Sequence, residues 1–151
     1  MDKKIIRVYL DNCCFNRPYD NQTDLTIEIE TKAKLYIQRQ IEIGIIDLAW
    51  SYILEYENGN NPYPERKNAI GLWKNMAKNY VDESEDIIML AEEISATSVK
   101  PSDALHVATA IISGCDYFIT TDKRILKYKT NRIKLMNPVD VINDWSDGYD
   151  E

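Results

Sequence analysis

The feature that most limits how this chain can fold is a buried helix followed at once by a buried strand, in residues 101–122. Pro101 suits the first turn of a helix, and the mostly apolar residues after it predict a helix that is buried on nearly all sides. A glycine ends this helix, and the apolar, β-prone residues 117–121 predict a strand. Asp103 therefore lies at the start of a helix, and Asp122 directly follows a strand.

The same order of elements recurs along the whole chain. An apolar, β-branched run at residues 5–10 predicts a first central strand, and Asp11 follows it as Asp122 follows the later one. Strands and helices then alternate, which is typical of right-handed crossovers and of a mainly parallel sheet with helices on both faces. The sequence thus predicts an α/β fold in a single domain of residues 1–146, followed by a frayed tail of residues 147–151.

Composition and charge exclude several classes of protein. With 44% hydrophobic residues among 151, the chain can bury a sizeable core. No apolar run approaches the roughly 20 residues that span a bilayer, and the N-terminus shows no signal-peptide pattern. Three cysteines, two of them adjacent, form no disulfide framework and fit a reducing cytosol. A net charge of −7 excludes a uniformly basic nucleic-acid binder. We therefore expect a cytoplasmic protein that does not associate with membranes.

Four carboxylates are expected to reach one edge of this sheet. Asp11 and Asp122 follow strands, Asp103 begins a helix, and Glu55 lies about one turn into the helix after the second strand. Carboxylates that meet beyond the carboxyl ends of strands repel one another unless a cation lies among them. Mg²⁺ and Mn²⁺ prefer such oxygen ligands and support phosphodiester cleavage. Glu57 is the alternative to Glu55, because residues two apart on a helix point in different directions.

Each acid also has a purely structural interpretation. A single Asp after a strand is most often a turn residue, Asp103 fits the cap of its helix, and Glu55 fits a solvent-facing helix position. The combination of four acids, rather than any one of them, favours a metal site. An aspartyl-phosphate phosphatase is disfavoured, because Cys13 stands two residues after Asp11, where that mechanism needs a second acid.

A resemblance to a known family makes these expectations specific. In order and spacing, the chain resembles the PIN-domain ribonuclease family, and especially the small single-domain VapC-type toxins, in four segments: Leu10 to Asn12, the region of Glu55, Ser102 to Ala110, and Ile119 to Asp122. The resemblance implies a three-layer α/β/α fold and an endoribonuclease that requires Mg²⁺ or Mn²⁺ and leaves a 5′-phosphate and a 3′-hydroxyl. It gives the catalytic and metal-binding roles to Asp11, Glu55, Asp103 and Asp122.

The resemblance also implies roles for residues around the acids. Asn12, Thr120 and Thr121 fall where the family places polar side chains that orient the site. The chain departs from the family at Cys13 and Cys14, because hydroxyl or other polar residues often follow the first Asp. This departure removes no acid, but it affects the path by which substrate enters.

Basic residues near the acids are candidates for binding RNA. Arg17 is a candidate phosphate ligand, with an ion-paired surface arginine as the alternative. Lys123 and Arg124 begin a basic segment, residues 123–134, that contains no acid and directly follows Asp122. Lys and Arg contacts of this kind position a nucleic-acid backbone without reading its sequence.

The resemblance implies an RNA substrate, an antitoxin protein and a second copy of the chain as partners. Exposed tyrosines at positions 52, 56 and 63 would suit a homodimer interface, with ordinary packing as the alternative. Two other functions stay open, namely a PIN-fold nuclease of general RNA turnover and a PIN-like module that binds without cleaving. The presence of all four acids argues against the binding module, because a scaffold gains nothing from their mutual repulsion.

Overall fold

The computed structural model describes the backbone of residues 5–149 and the side chains of residues 5–146. Within this range, five strands form the central layer: β1 Arg7–Leu10, β2 Asp47–Ser51, β3 Asn79–Val81, β4 Tyr117–Ile119 and β5 Lys134–Met136. The helices are α1 Asn12–Asn16, α2 Leu25–Glu42, α3 Tyr52–Gly59, α4 Pro64–Gly71, α5 Trp73–Met76, α6 Glu85–Ser95, α7 Pro101–Ile112, α8 Lys123–Leu126 and α9 Pro138–Tyr149. A 3₁₀ turn, Arg17–Tyr19, follows α1.

The five strands pair in parallel in the order β3-β2-β1-β4-β5, which confirms the predicted parallel sheet. Successive strands are added on one side of β1 as far as β3, and β4 is then added on the other side of β1. The carboxyl ends of β1 and β4 therefore border the crevice where ligands bind in such sheets. Leu10 pairs with Ile119, and the Asp11 amide donates a hydrogen bond to the Ile119 carbonyl at 3.0 Å. The residues that follow β1 and β4 therefore lie side by side.

Helices cover both faces of the sheet, which confirms the three-layer architecture. On one face, Tyr9 and Phe118 stack with their ring centroids 5.3 Å apart, and the Tyr9 hydroxyl contacts α7. On the other face, Trp50 packs edge-on against Phe15 of α1, and Tyr117 packs against α9. Successive strand residues point to opposite faces, which explains how Tyr117 and Phe118 reach different layers.

Two helix boundaries differ from those that the sequence predicts. The apolar residues at helical spacing after Pro64 predict one helix to about Lys78, but this helix is interrupted at Leu72, after Gly71, which is a poor helix former. The sequence also predicts a last helix from Pro138 to about Trp145, but α9 runs to Tyr149, so its backbone enters the predicted tail. Residues 150 and 151 of that tail lie outside the described residues. Across residues 5–149, no helix is both long enough and apolar enough to cross a membrane.

A buried lysine is the least expected member of the core. Lys34 of α2 is only 4% exposed, and its Nζ lies 5.9 Å from the centroid of the Phe15 ring. No described residue forms an ion pair or hydrogen bond with its ammonium group. Burial lowers the pKa of Lys34 from 10.5 to about 8, although the nearby Cys14 thiol raises it in part. The charged lysine therefore weakens the fold at neutral pH.

Lys34→Met is expected to raise the free energy of unfolding at pH 7 by roughly 3 kcal/mol, since a pKa shift of one unit corresponds to about 1.4 kcal/mol. Because the folded-state pKa lies below the unfolded value, the lysine destabilises most below about pH 8. The difference between the two proteins should shrink as the pH rises from 8 towards 10.5. Urea unfolding of both proteins across this pH range measures the difference in their free energies of unfolding. Lys32→Met, which removes an exposed lysine of the same helix, is the control, and equal stability of Lys34→Met and wild type at pH 7 would contradict this prediction.

Candidate active site

Asp11 is held in place at the carboxyl end of β1. Its side chain is buried, and it caps α1 by accepting a hydrogen bond from the Asn12 amide at Oδ1, at 2.8 Å. The second oxygen, Oδ2, accepts a hydrogen bond from the Thr120 hydroxyl, also at 2.8 Å. Both oxygens are therefore oriented by groups from α1 and from the end of β4.

Thr120 also connects Asp11 to the acid that follows β4. The Asp122 amide donates a hydrogen bond to the Thr120 hydroxyl oxygen at 3.0 Å. Asp122 caps the short helix α8, because its Oδ1 accepts a hydrogen bond from the Arg124 amide at 2.8 Å. The Cys13 thiol lies 3.4 Å from Asp11 Oδ2 and accepts a hydrogen bond from the Thr121 amide at 3.4 Å. The ends of β1 and β4 thus form one hydrogen-bonded unit.

Asp103 faces this unit from α7. It lies in the first turn of that helix, two residues after Pro101, and it is partly buried. Burial raises the pKa of the Asp103 carboxyl, and the negative charges of Asp11 and Asp122 raise it further. Such mutual repulsion requires the three carboxylates to lie near one another. The structure therefore places Asp11, Asp103 and Asp122 near enough for their charges to interact.

The two glutamates of α3 point in different directions. Glu57 Oε1 lies 2.8 Å from His106 Nε2, one turn after Asp103 on α7. Glu55 instead accepts a hydrogen bond from the Trp50 indole at 2.8 Å and lies 3.5 Å from Lys74 Nζ. Glu57, not Glu55, makes the contact with α7, because residues two apart are separated by about 200° around the helix axis.

A buried polar chain supports Glu57. His106 is 1% exposed, and its Nδ1 lies 2.6 Å from the Tyr9 hydroxyl, which in turn lies 2.7 Å from Ser51 Oγ. Ser51 also caps α3, since its hydroxyl oxygen accepts a hydrogen bond from the Leu54 amide at 3.2 Å. The chain Ser51–Tyr9–His106–Glu57 therefore links β2, β1, α7 and α3 behind the acids. Because His106 is buried and contacts Tyr9 and Glu57, it holds Glu57 in place.

The charge state of His106 follows from these neighbours. Burial alone would lower the pKa of His106, but the hydrogen bond to Glu57 and the negative charges of Asp11, Glu57 and Asp103 outweigh it. The net effect is a raised pKa. The nearby carboxylates therefore favour the protonated imidazolium, which offsets part of their repulsion.

The donor chemistry of this cluster fits a hard divalent cation. Its candidate ligand atoms are carboxylate oxygens, which Mg²⁺ and Mn²⁺ prefer, and burial, followed by the charges of Asp11 and Asp122, raises the pKa of Asp103. In the described part of the chain, no three acidic, His or Cys side chains already surround a common point as the ligands of an ion would. The cluster thus offers carboxylates of suitable chemistry on three elements, without a fully assembled coordination shell.

Comparison with known proteins identifies the family. The model of the PIN domain matches residues 42–131, which is more than half of the chain. The chain belongs to the PIN domain family. PIN domains are generally nucleases that act as hydrolases. No curated protein matches this PIN domain at a significant level.

Solved structures show the same fold at low sequence identity. FitAcB from Neisseria gonorrhoeae has a TM-score of 0.57 and 13% identity, and the match covers 87% of this chain and 98% of that one. VapBC2 from Rickettsia felis, bound to a DNA fragment from its promoter, has a TM-score of 0.56 and 13% identity over 87% and 98% of the two chains. DNA-bound VapBC from Salmonella typhimurium has a TM-score of 0.57 and 17% identity over 89% and 99%. These similarities support the PIN fold of the chain.

The basic residues of this PIN domain that are candidates for binding RNA lie in different surroundings. Lys123 and Arg124 are exposed on α8, directly after Asp122. Arg17 is instead engaged in ion pairs, because its Nη2 lies 2.6 Å from Glu30 Oε1 and its Nη1 lies 3.1 Å from Asp20 Oδ2. The far end of the basic segment is distant along the sheet, since residue 134 pairs with the first residue of β4. Only the start of the segment lies beside the acids.

Several residues that support the site were not predicted from the sequence. Tyr9 is a typical strand residue and Ser51 is a typical helix cap, and nothing in the sequence around them indicates that they share a hydrogen bond. Their link to His106 depends on the pairing of β1 with β2 and on the placement of α7 over the sheet. The sequence does contain one signal that favours Glu57. Side chains alternate between the two faces along β2, so Trp50 and Ser51 must face opposite helical layers.

Proposed function

We propose that this PIN domain is a metal-dependent endoribonuclease. The observation that carries the proposal is the convergence of Asp11, Asp103 and Asp122 at the carboxyl edge of the sheet, where burial and then the charges of its acidic neighbours raise the pKa of Asp103. Carboxylates that repel one another are stabilised by a positive charge among them, and a divalent cation that also binds a phosphate substrate supplies it.

The roles of the side chains follow from their positions. Asp11, Asp103 and Asp122 would hold Mg²⁺ or Mn²⁺, with Asp11 oriented by Thr120 and by the Asn12 amide. We assign the fourth carboxylate to Glu57 in place of Glu55, because Glu57 is the one that contacts α7.

When bound, a divalent cation lowers the pKa of an attacking water and offsets charge on the phosphate. The hydrogen bond from His106 holds Glu57 where it can orient that water or receive its proton. The buried link to Tyr9 fixes the imidazole in turn, so Glu57 needs little rearrangement when substrate arrives.

RNA would enter beside α8. Lys123 and Arg124 are exposed next to Asp122, and their positive charges would bind the phosphates that flank the scissile bond. We give Arg17 no role in binding RNA, because Glu30 and Asp20 occupy its guanidinium group. Binding through two such residues should weaken as salt concentration rises.

We further propose that the enzyme is the cytoplasmic toxin of a toxin–antitoxin pair. Support comes from the similarity in fold to FitAcB and to two VapBC structures, which extends over nearly the full length of those chains. Its cysteines at positions 13, 14 and 115 are free, which fits a reducing compartment. Tyr56 and Tyr63 are exposed and would suit the interface of a homodimer.

The test is cleavage of a labelled pool of single-stranded RNA by partner-free protein, with Mg²⁺ or Mn²⁺ and with excess EDTA. We expect cleavage that requires the cation, yields 5′-phosphate ends and stops with EDTA. A matched DNA pool is the control for substrate class. Cleavage that continues in EDTA would contradict the metal requirement, and cleavage of DNA alone would contradict the RNA substrate. No cleavage of either pool by folded protein would favour a binding module.

A further inference from the structure

A cavity lies apart from the cluster of Asp11, Asp103 and Asp122, on the other side of α1. It has a volume of about 300 Å³, which is within the range of small-molecule sites, and it opens between the 3₁₀ turn, α2, α4 and α5. It shares no lining residue with the acidic cluster. Its apolar walls are formed by Phe15, Pro18, Tyr19, Leu35, Ile70 and Trp73.

Two buried hydrogen-bond donors line the same cavity. Lys34 and Gln38 lie one turn apart on α2, on the same face of the helix, and they are 4% and 3% exposed. The Gln38 Nε2 atom is buried without a hydrogen-bond partner. Lys34 likewise lacks an acidic partner among the described residues. A buried donor without a partner is rare and unfavourable, so Gln38 Nε2, beside the unpaired ammonium group of Lys34, points to an acceptor that arrives from outside the chain.

The charge of Lys34 favours an anionic ligand. With a pKa of about 8, the Lys34 amine is positively charged in most molecules at pH 7, and an anion in the cavity would increase that charged fraction. Glu42 lines the same cavity, and the whole chain has a net charge of −7. A single negative charge is therefore favoured over the two charges of a phosphate monoester.

We propose that this cavity binds a small aromatic carboxylate. The carboxylate accepts hydrogen bonds from Lys34 and Gln38, and the aromatic ring lies against Phe15, Ile70 and Trp73. A carboxylate matches both donors because its two oxygens accept independently, and a flat ring fills an apolar space of this size. The site is separate from the proposed nuclease centre, so it does not depend on whether the chain cleaves RNA.

The test uses benzoate as the probe, with its neutral analogue benzamide for comparison. Titration of ¹⁵N-labelled protein should shift the amide signals of residues around the cavity, with a dissociation constant of about 1 mM or lower for benzoate. Benzamide should bind about tenfold more weakly. Lys34→Met should weaken benzoate binding at least about tenfold, because it removes a charge-assisted hydrogen bond while keeping the apolar stem.

Two further variants separate binding from folding. Gln38→Leu should also weaken benzoate binding, whereas Lys32→Met on the exposed side of α2 should bind as wild type does. Since Lys34→Met is expected to be more stable than wild type, lost binding in a folded variant cannot be attributed to unfolding. Equal affinity of wild type and Lys34→Met for benzoate, equal affinity for benzoate and benzamide, or shifts only outside the cavity would each overturn the proposal.

Discussion

Asp103→Asn is expected to reduce the rate of RNA cleavage at least about a hundredfold, which corresponds to about 2.7 kcal/mol of transition-state stabilisation. The amide removes a negative ligand from the centre of the acidic cluster while keeping nearly the same shape. The same substitution should raise the melting temperature at pH 7. The pKa of Asp103 is raised in the folded state, by burial and by Asp11 and Asp122, so its ionisation opposes folding above that pKa.

A variant that loses activity but gains stability cannot owe its lost activity to unfolding. Asp86→Asn is a matched control, because Asp86 is also an acid in the first turn of a helix but is exposed on α6. The control should retain wild-type cleavage. If Asp103→Asn cleaved RNA at a rate within about threefold of wild type, the metal-binding role of Asp103 would be wrong. If it lowered the melting temperature, the repulsion among the three acids would be overestimated.

Glu57→Gln and Glu55→Gln should separate the two candidates for the fourth carboxylate. Glu57→Gln is expected to slow cleavage by about ten- to a hundredfold, because it removes the carboxylate that His106 positions beside the acids. Glu55→Gln should cleave at close to the wild-type rate, since its amide oxygen still accepts the hydrogen bond from the Trp50 indole.

The single histidine of the chain provides a second readout for this pair. His106 is the only histidine in the sequence, so its proton signals can be followed through a pH titration without assignment. Glu57→Gln should lower the pKa of His106, because the hydrogen bond that the imidazole donates to the Glu57 carboxylate and the charge of that carboxylate both raise the pKa. Glu55→Gln should leave the titration unchanged. A loss of activity confined to Glu55→Gln would restore Glu55 as the fourth carboxylate.

The sequence predicts the fold well because its signals are local. Apolar β-prone runs at residues 5–10 and 117–121, each followed by Asp, correspond to β1 and β4, and their adjacency in the sheet brings Asp11 beside Thr120 and Asp122. Alternating strands and helices leave few topologies other than a parallel sheet with two helical layers. The approach of Asp103 follows from the same logic, since α7 immediately precedes β4.

The choice between Glu55 and Glu57 shows what sequence reasoning could not reach. Counting one turn from Ser51 selects Glu55, but the orientation of α3 is fixed by how that helix rests on the sheet and on α7. The Trp50 indole donates a hydrogen bond to Glu55 in the opposite layer. Counting residues along the helix does not reveal this contact, because Trp50 lies outside the helix. Arg17 is a similar case, because its ion pair with Glu30 spans α2 and the 3₁₀ turn.

The basic segment illustrates a different limit. A run of Lys and Arg between positions 123 and 134 suggests one continuous surface for RNA. The chain returns through this segment from the carboxyl edge of the sheet to the start of β5, and Lys134 forms an ion pair with Asp144 at 2.9 Å. Proximity in sequence therefore overstates how much of this segment lies beside the acids, which is its start at Lys123 and Arg124.

Binding of Mn²⁺ is the most direct measurement of the proposed centre, because it needs neither substrate nor turnover. Paramagnetic Mn²⁺, added below one equivalent to ¹⁵N-labelled protein, broadens the amide signals nearest to its site. We predict that the signals of Asn12, Asp103 and Thr121 broaden first, and that Asp103→Asn abolishes this pattern. Broadening that begins in the exposed acidic run at residues 82–86, and is unaffected by Asp103→Asn, would contradict a metal centre at the ends of β1 and β4.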